Sequence, residues 1–218
     1  MTRYFEISHP IEAGMETYRG LPVPTVDVVV DYDASRERYK GLAEFYIASL
    51  HLCGNTGTYV DSPRHRFRDG ADLASLPLER LAGVPAVVVD ATRAGRAIGP
   101  EHLGDLDLSG KAVLVRTDFS RHWRTEDYFR DNPFLTAAAS ELLVSRRVAV
   151  VGIDSLNIDD IGDLSRPAHT ILLGAGIPVA EHLTALAAVP KAGGKLHAVP
   201  IPWVGGTTFP VRAYVMVE

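Results

Sequence analysis

Short apolar runs separated by turn-forming residues recur along the chain and predict a protein rich in strands. The runs contain Val, Ile and aromatic residues and are bounded by Gly, Pro or Asp, as strands usually are. Pro85–Asp90 and Val148–Ile153 are continuously apolar, which is typical of central strands buried on both faces. Thr25–Asp31 and Phe45–Leu52 lean towards alternation, which predicts strands with one solvated face. The other predicted strands are Tyr4–Ser8, Ala112–Thr117, Leu196–Trp203 and Pro210–Val217.

Helical periodicity is confined to three segments. Leu135–Arg147 carries an apolar stripe and ends in two arginines, which favour a helix C-terminus. A second helix is predicted from Glu181 to Pro190, and a shorter one over Asp72–Leu81, where Pro77 interrupts it. Strands come first and then alternate with helices, which predicts an α/β fold with a mixed, partly parallel sheet. The length fits one domain over residues 1–218.

Composition and charge narrow the possible functions. The 22 Lys and Arg residues against 27 Asp and Glu give a net charge of −5, without the clustered basic residues that nucleic acid requires. The apolar runs are about half the length that spans a bilayer, the first twenty residues lack the apolar stretch of a secretion signal, and the single cysteine excludes an internal disulfide. We therefore expect a cytoplasmic protein that binds a small molecule, with no nucleic-acid or membrane partner.

The densest polar segment lies between Gly54 and His65, directly after the predicted strand Glu44–Leu52. α/β folds usually place their ligands at the carboxyl ends of strands. Asp61 and His65 bring a carboxylate and an imidazole within a few residues of each other, as general acid/base or metal chemistry requires. The alternative interpretation is a polar turn in which Asp61 caps the backbone.

A second candidate cluster contains His169 and Glu181. A glutamate in the first turn of a helix is explained by the helix dipole alone. Glu181 becomes a metal ligand only if the fold brings it beside Asp61 and His169. No phosphate-binding loop and no Gly-x-Ser-x-Gly nucleophile elbow is present, so these chemistries are not predicted.

Three arginines, Arg64, Arg66 and Arg68, flank His65. They are consistent with a solvated loop. They are also consistent with a carboxylate recognition site, because the guanidinium group pairs bidentately with carboxylates.

Several segments together resemble the cyclase or kynurenine formamidase family of metal-dependent amide hydrolases. Thr56-Gly57-Thr58 with Asp61, Pro63 and His65 is similar to the family signature His-x-Gly-Thr-His-x-Asp-x-Pro-x-His, and the resemblance extends over nearly the whole chain. The other matching segments are Ile7–Ile11 with Gly14 and Met15, Gly152–Asp154, Pro167–His169 and Glu181–Leu183.

The resemblance implies an α/β fold with a swivelling β/β/α arrangement and a homodimer or homotetramer. It also implies hydrolysis of an N-formyl or cyclic amide through metal-bound water. Carried over by position, Asp61, His169 and Glu181 match metal ligands, and His65 matches the catalytic histidine.

This chain departs from the signature at both of its first two histidines, which are replaced by Asn55 and Tyr59. Asparagine is a weak neutral oxygen donor and tyrosine seldom binds zinc, so one of two metal positions is expected to be lost or weakened. The remaining set of one imidazole and two carboxylates suits one Zn²⁺ or Mn²⁺ with an open position for water. The same set could also be the remnant of a site that no longer binds metal.

Three functional hypotheses follow. The first, which we favour, is a single-metal hydrolase of a small amide, lactam or lactone, in which His65 moves the proton and Tyr59 stabilises the oxyanion. The second is a metal-free cyclase or dehydratase with His65 as base, Tyr59 as proton donor and Asn55 holding a substrate carbonyl. The third is a non-catalytic protein that binds a small ligand or acts only through assembly. Convergence of Asp61, His65, His169 and Glu181 on one pocket would argue against the third.

Overall fold

Nine of the thirteen strands form one mixed sheet in the computed structural model, which describes residues 1–218. Three α-helices accompany them: α1 (Tyr32–Arg38), α2 (Ala137–Ser145) and α3 (Pro167–Gly174). The strands are β1 (Arg3–Glu6), β2 (Thr25–Val30), β3 (Ile47–His51), β4 (Tyr59–Asp61), β5 (Ala82–Asp90), β6 (Ala97–Ile98), β7 (Ala112–Arg116), β8 (Phe134–Leu135), β9 (Val150–Ile153), β10 (Val179–Glu181), β11 (Gly194–His197), β12 (Thr208–Pro210) and β13 (Tyr214–Val217).

The strand order of the main sheet is β1-β13-β11-β5-β7-β9-β10-β4-β12. The four central strands β5, β7, β9 and β10 are parallel, and every other pairing within this sheet is antiparallel. The predicted α/β fold with a mixed, partly parallel sheet is therefore confirmed. β2 and β3 form a separate antiparallel hairpin, and β6 pairs only with β8.

The central strands are buried on both faces. Val87 and Val89 of β5 pack into the apolar cluster under α2 and α3, whereas Ala86 and Val88 pack into a second cluster on the opposite face. Because successive strand residues point to opposite faces, a strand with a core on each side must be apolar at every position. This confirms the interpretation of Pro85–Asp90 and Val148–Ile153 as strands buried on both faces.

The prediction of a helix from Glu181 to Pro190 is wrong. Glu181 is the last residue of β10, and only Leu186–Ala188 forms a short 3-10 turn. β10 pairs with β9 on one side and with β4 on the other, so the sheet satisfies its backbone hydrogen bonds. The helical spacing of the leucines after Glu181 reflects packing of a loop into the core.

Several other features also differ from the predictions. Within Asp72–Leu81 only Leu78–Arg80 is helical, as a 3-10 turn after Pro77. Pro210–Val217 is divided between β12, the last strand of the sheet order, and β13, which is second from the other edge. The hairpin β2–β3 has two largely exposed faces instead of one, since Val28 and Val29 are 56% and 60% exposed. No helix of the chain combines the length and apolar character needed to cross a bilayer.

A buried carboxylate, Asp154, joins the ends of β7 and β9. It accepts hydrogen bonds from the Thr117 backbone N–H and hydroxyl, both at 2.6 Å, and from the Asp118 N–H at 3.0 Å. Burial raises the pKa of Asp154 to about 6, although these hydrogen bonds lower it. The folded-state pKa thus lies above the unfolded value of about 3.9.

Stability should consequently depend on pH through Asp154. A raised carboxyl pKa stabilises the fold below the unfolded pKa, and this contribution disappears as the pH rises through the folded value. Relative to Asp154→Asn, the wild-type free energy of unfolding should fall by about 2–3 kcal/mol between about pH 4 and about pH 7. Urea unfolding of both proteins at the two pH values measures this difference. A difference that is constant or increases with pH would contradict the prediction.

Candidate active site

The register of three neighbouring strands brings the first group of polar side chains together. Tyr59 of β4 lies directly opposite Glu181 of β10, and Asp61 lies directly opposite Thr208 of β12. Tyr59 and Asp61 are two residues apart and share one face of the sheet. As a result, the Tyr59 hydroxyl donates to Glu181 Oε2 at 2.7 Å, and the Thr208 hydroxyl donates to Asp61 Oδ1.

The segment before β4 is shaped by two glycines. Gly57 has a φ of +64°, in the left-handed region that glycine adopts without strain. A Cβ at Gly54 would collide with the Thr208 carbonyl oxygen, so this position allows β12 to approach. The segment follows strand β3 as predicted, but β3 belongs to a separate hairpin, and Tyr59–Asp61 is itself a strand of the main sheet.

Two histidines approach this face from short helical segments. His65 ends the 3-10 turn Pro63–His65 that follows β4, and its Nδ1 lies 3.0 Å from the Thr208 hydroxyl. His169 lies in the first turn of α3, where Asp159 accepts hydrogen bonds from the Ala168 and His169 N–H groups. Asp159 Oδ2 also lies 2.6 Å from His169 Nδ1 and fixes the plane of the imidazole.

The other ring nitrogen of His169 faces two carboxylates. Nε2 lies 3.6 Å from Asp61 Oδ2 and 3.6 Å from Glu181 Oε1. Both His169 Nε2 and Asp61 Oδ2 are buried without a hydrogen-bond partner, an arrangement that costs free energy unless a proton or ion lies between them. Two ligands of a tetrahedral metal at about 2.1 Å lie about 3.4 Å apart, close to the observed spacing.

A divalent metal ion therefore fits these donors. Ligand atoms of Asp61, His65 and His169 all lie within 4.8 Å of one another, so this group contains two of the three predicted ligands together with His65, and Glu181 approaches it through Oε1, 3.6 Å from His169 Nε2. The mixture of imidazole nitrogen and carboxylate oxygen suits Zn²⁺ or Mn²⁺.

The electrostatics of the cluster also favour a cation. Burial lowers the pKa of His169, but Glu181, Asp159 and Asp61 outweigh it and raise this pKa to about 10. Burial raises the pKa of Glu181 to about 7, although His169 lowers it. The acidic side chains around His169 therefore favour its protonated form, and a metal would take the place of the His169 proton.

A chain of buried hydrogen bonds extends from Glu181 into the core. Tyr59 donates to Glu181, so its oxygen accepts from His182 Nε2 at 3.2 Å, and His182 Nδ1 accepts from the Tyr128 hydroxyl at 2.9 Å. Burial raises the pKa of Tyr59 well above its usual value and lowers that of His182 to about 3. Both rings are therefore neutral, and each hydrogen bond in the chain has one direction.

All six residues proposed from the sequence meet in one place. Asn55, Tyr59, His65, His169 and Glu181 line one cavity of about 350 Å³, and Asp61 lies buried beside His65 and His169. This convergence argues against a purely structural role for the set. Their roles as ligand, base or substrate contact stay predictions.

The sequence did not indicate several residues of the site. Asp159 orients His169, while Asn157 and Arg166 contribute to the cavity wall. A polar stretch, Asn157-Ile158-Asp159-Asp160, between a buried strand and Pro167-Ala168-His169 is the one local signal that could have drawn attention to Asp159.

Asp159→Asn should lower divalent-metal affinity about 10- to 100-fold, the usual effect of removing the carboxylate that orients a histidine ligand. The matched control is Asp160→Asn, because Asp160 is the adjacent carboxylate and pairs with Arg96 instead. Titration against a competing chelator measures both affinities. Equal affinities in the two variants would show that Asp159 does not act through His169.

The fold and the site define an α/β protein with a candidate metal centre beside its parallel strands. The family model described as "Putative cyclase" matches residues 5–160. The kynurenine formamidase of Salinibacter ruber is 34% identical over 189 residues, which cover 86% of this chain and 87% of the relative. The kynurenine formamidase of Bacillus cereus is 26% identical over 215 residues, which cover 98% of this chain and 97% of the relative.

Solved structures agree with this assignment. A potential metal-dependent hydrolase with cyclase activity superposes with a TM-score of 0.82 at 25% identity, covering 100% of this chain and 99% of the other. Isatin hydrolase A from Ralstonia solanacearum superposes with a TM-score of 0.85 at 25% identity, covering 100% of this chain and 92% of the other. The chain belongs to the cyclase family, and the resemblance drawn from its sequence is confirmed.

Proposed function

We propose that this protein hydrolyses a small amide, lactam or lactone at the cavity beside β4 and β10, with one bound divalent metal. The observation that carries the proposal is the pair of buried, unpartnered atoms Asp61 Oδ2 and His169 Nε2, 3.6 Å apart in a cluster with His65. Relatives named kynurenine formamidase, an amide-hydrolysing activity, support the reaction class.

Asp61, His169 and Glu181 would hold the metal, and Zn²⁺ and Mn²⁺ are the ions that their donors suit. When bound, such an ion polarises a carbonyl and lowers the pKa of water. Asp159 fixes the imidazole of His169, and the Ile158 N–H donates to Glu181 Oε1 at 2.6 Å, so two of these side chains are oriented before substrate arrives.

His65 is suited to move the proton. Its side chain is 33% exposed, and its Nδ1 faces Thr208 and Asp61, which leaves Nε2 for the substrate. The imidazole would accept a proton from the attacking water as oxygen adds to the carbonyl carbon. It would then give this proton to the nitrogen or oxygen that leaves when the bond breaks.

Tyr59 would act on Glu181, and Asn55 would act on the substrate carbonyl. The Tyr59 hydroxyl is engaged with Glu181 in this structure, so its first role is to hold that carboxylate. Asn55 lies in the cavity wall and offers an amide donor to the carbonyl oxygen.

The proposal is tested with protein purified without chelator. Its metal content is measured by elemental mass spectrometry, and its hydrolysis of N-formylaniline, isatin and a simple aryl lactone is followed spectroscopically. We expect about one ion per chain, loss of turnover on chelation and recovery with Zn²⁺ or Mn²⁺. Turnover that survives complete metal removal would refute the metal-dependent reaction and favour the metal-free cyclase or dehydratase with His65 and Tyr59.

We also propose that the protein forms a homodimer through the β2–β3 hairpin. Five of its apolar side chains are between 46% and 60% exposed, an unusual density for a free surface: Val26, Val28, Val29, Ile47 and Leu50. A second copy is the occupant that the family resemblance implies. Light scattering should show a dimer for the wild type. Val28→Lys should weaken the dimer and give a lower average mass at the same concentration. A wild-type monomer would exclude this assembly.

A further inference from the structure

We propose that Arg66 and Arg166 form a carboxylate-binding subsite at the mouth of the cavity, and that the natural substrate carries a carboxylate apart from the bond that is cleaved. The inference rests on the proposed function, because it names the class of substrate for the same site. Both guanidinium groups line the cavity that contains His169 and Glu181.

The two arginines are held against the same short segment. Arg66 Nε donates to the Thr170 hydroxyl at 3.0 Å, and its Nη2 donates to the Ser165 carbonyl at 2.8 Å. Ser165 immediately precedes Arg166, so the side chain of Arg66 lies across the start of α3 next to Arg166. Two cations on different segments thus line the same cavity.

Arg166 is oriented by neutral groups. Its Nη1 lies 3.3 Å from Asn157 Oδ1, and its Nη2 lies 3.4 Å from the Tyr18 hydroxyl, both long contacts. Asn157 and Tyr18 line the same cavity. Such partners fix the direction of a guanidinium without neutralising its charge, and long hydrogen bonds are readily exchanged for charge-assisted ones.

Neither arginine has a carboxylate partner in the protein. No carboxylate lies within 4.0 Å of Arg66 or Arg166, whereas other arginines such as Arg96, Arg116 and Arg124 are paired. Asp163 is close enough for Arg166 to lower its pKa, but its carboxylate is fully exposed and is engaged by Ser165. Two unpaired guanidinium groups in one cavity wall are a recognition site for a planar anion.

The charge distribution along the cavity would orient such a substrate. Glu181, with Asp61 behind it, lies at one end, and the arginines lie at the mouth. A carboxylate is repelled by the first group and attracted by the second, so the uncharged amide or lactone is directed towards His65 and His169. A cavity of about 350 Å³ holds one small aromatic or aliphatic acid.

Benzoate and benzamide are the binding probes, because they have the same shape and differ in charge. Calorimetric titration of the metal-loaded protein should give a dissociation constant for benzoate at least about tenfold lower than for benzamide. Arg66→Met and Arg166→Met should each weaken benzoate at least about tenfold and leave benzamide unchanged. Arg64→Met is the matched control, since Arg64 donates to the Arg68 carbonyl and lies outside the cavity wall.

Equal binding of the two probes by the wild type, or an equal loss in Arg64→Met, would overturn the subsite. A parallel assay compares N-formyl-2-aminobenzoate with its methyl ester. The acid should have the higher kcat/KM for removal of the formyl group. Arg166→Met should reduce the ratio of acid to methyl ester towards one, while the formyl group of the methyl ester is still removed. Equal rates in the wild type would refute the subsite and leave the hydrolase intact, whereas no hydrolysis of either compound would refute the hydrolase and leave the binding result to decide the subsite.

Discussion

Asp61→Asn is expected to lower kcat/KM for amide hydrolysis at least about a thousandfold and to abolish stoichiometric metal binding. The substitution preserves the shape of the side chain and its contact with Thr208, but it removes the negative charge beside His169 Nε2. The Asp61 carboxylate is fully buried, so solvent cannot enter to compensate for the lost charge. Steady-state kinetics and elemental analysis of the same preparation measure both effects.

Asp69→Asn is the control for this experiment, because Asp69 lies on the same segment with an exposed side chain outside the cavity. It should keep wild-type metal content and turnover. A melting temperature of Asp61→Asn near that of the wild type would show that the loss is not caused by unfolding. If Asp61→Asn keeps its metal and most of its turnover, Asp61 is not a ligand and the proposed centre is wrong.

Tyr59→Phe is expected to lower kcat about 100-fold while most of the bound metal is retained. The substitution leaves Glu181 Oε2 without its hydrogen-bond donor in a fully buried site. An unsatisfied buried acceptor also costs about 1–3 kcal/mol of stability, so the melting temperature should fall. Turnover, metal content and urea unfolding separate the catalytic effect from the structural one.

Tyr128→Phe provides the comparison, since it removes a hydroxyl that lies two hydrogen bonds further from Glu181 along the same chain. It should destabilise the protein similarly but reduce kcat less than Tyr59→Phe does. Equal losses of kcat in both variants would mean that the chain Tyr128–His182–Tyr59 matters only for folding.

The replacement of a signature histidine by Tyr59 has a physical explanation in the fold. Tyr59 faces Glu181 across two paired strands and uses its proton to hold that carboxylate in place. The tyrosine is anchored in turn by His182, which belongs to the neighbouring β10 segment. The position that would offer an imidazole to a metal in the signature therefore orients one of the proposed ligands in this chain.

Local patterns predicted the central part of the fold well. The continuously apolar runs became β5 and β9, and α2 lies within the predicted helix Leu135–Arg147. The spacing of leucines after Glu181 wrongly predicted a helix. Leucines in a loop can pack against the core at the same spacing without a helical backbone. β4 was missed as well, since a strand of three residues is too short to show a period.

The order of residues along the chain is enough to show which chemistry is available: two carboxylates, two imidazoles, an asparagine and a tyrosine at signature-like positions, with a buried parallel core to carry them. How these groups are combined depends on the three-dimensional fold. Tyr59 and Glu181 are 122 residues apart and meet through the register of β4 and β10, and Arg66 meets Ser165 across 99 residues. Such contacts are selected by the packing of the whole sheet, because neighbouring residues on one segment carry no information about which distant strand will lie beside them.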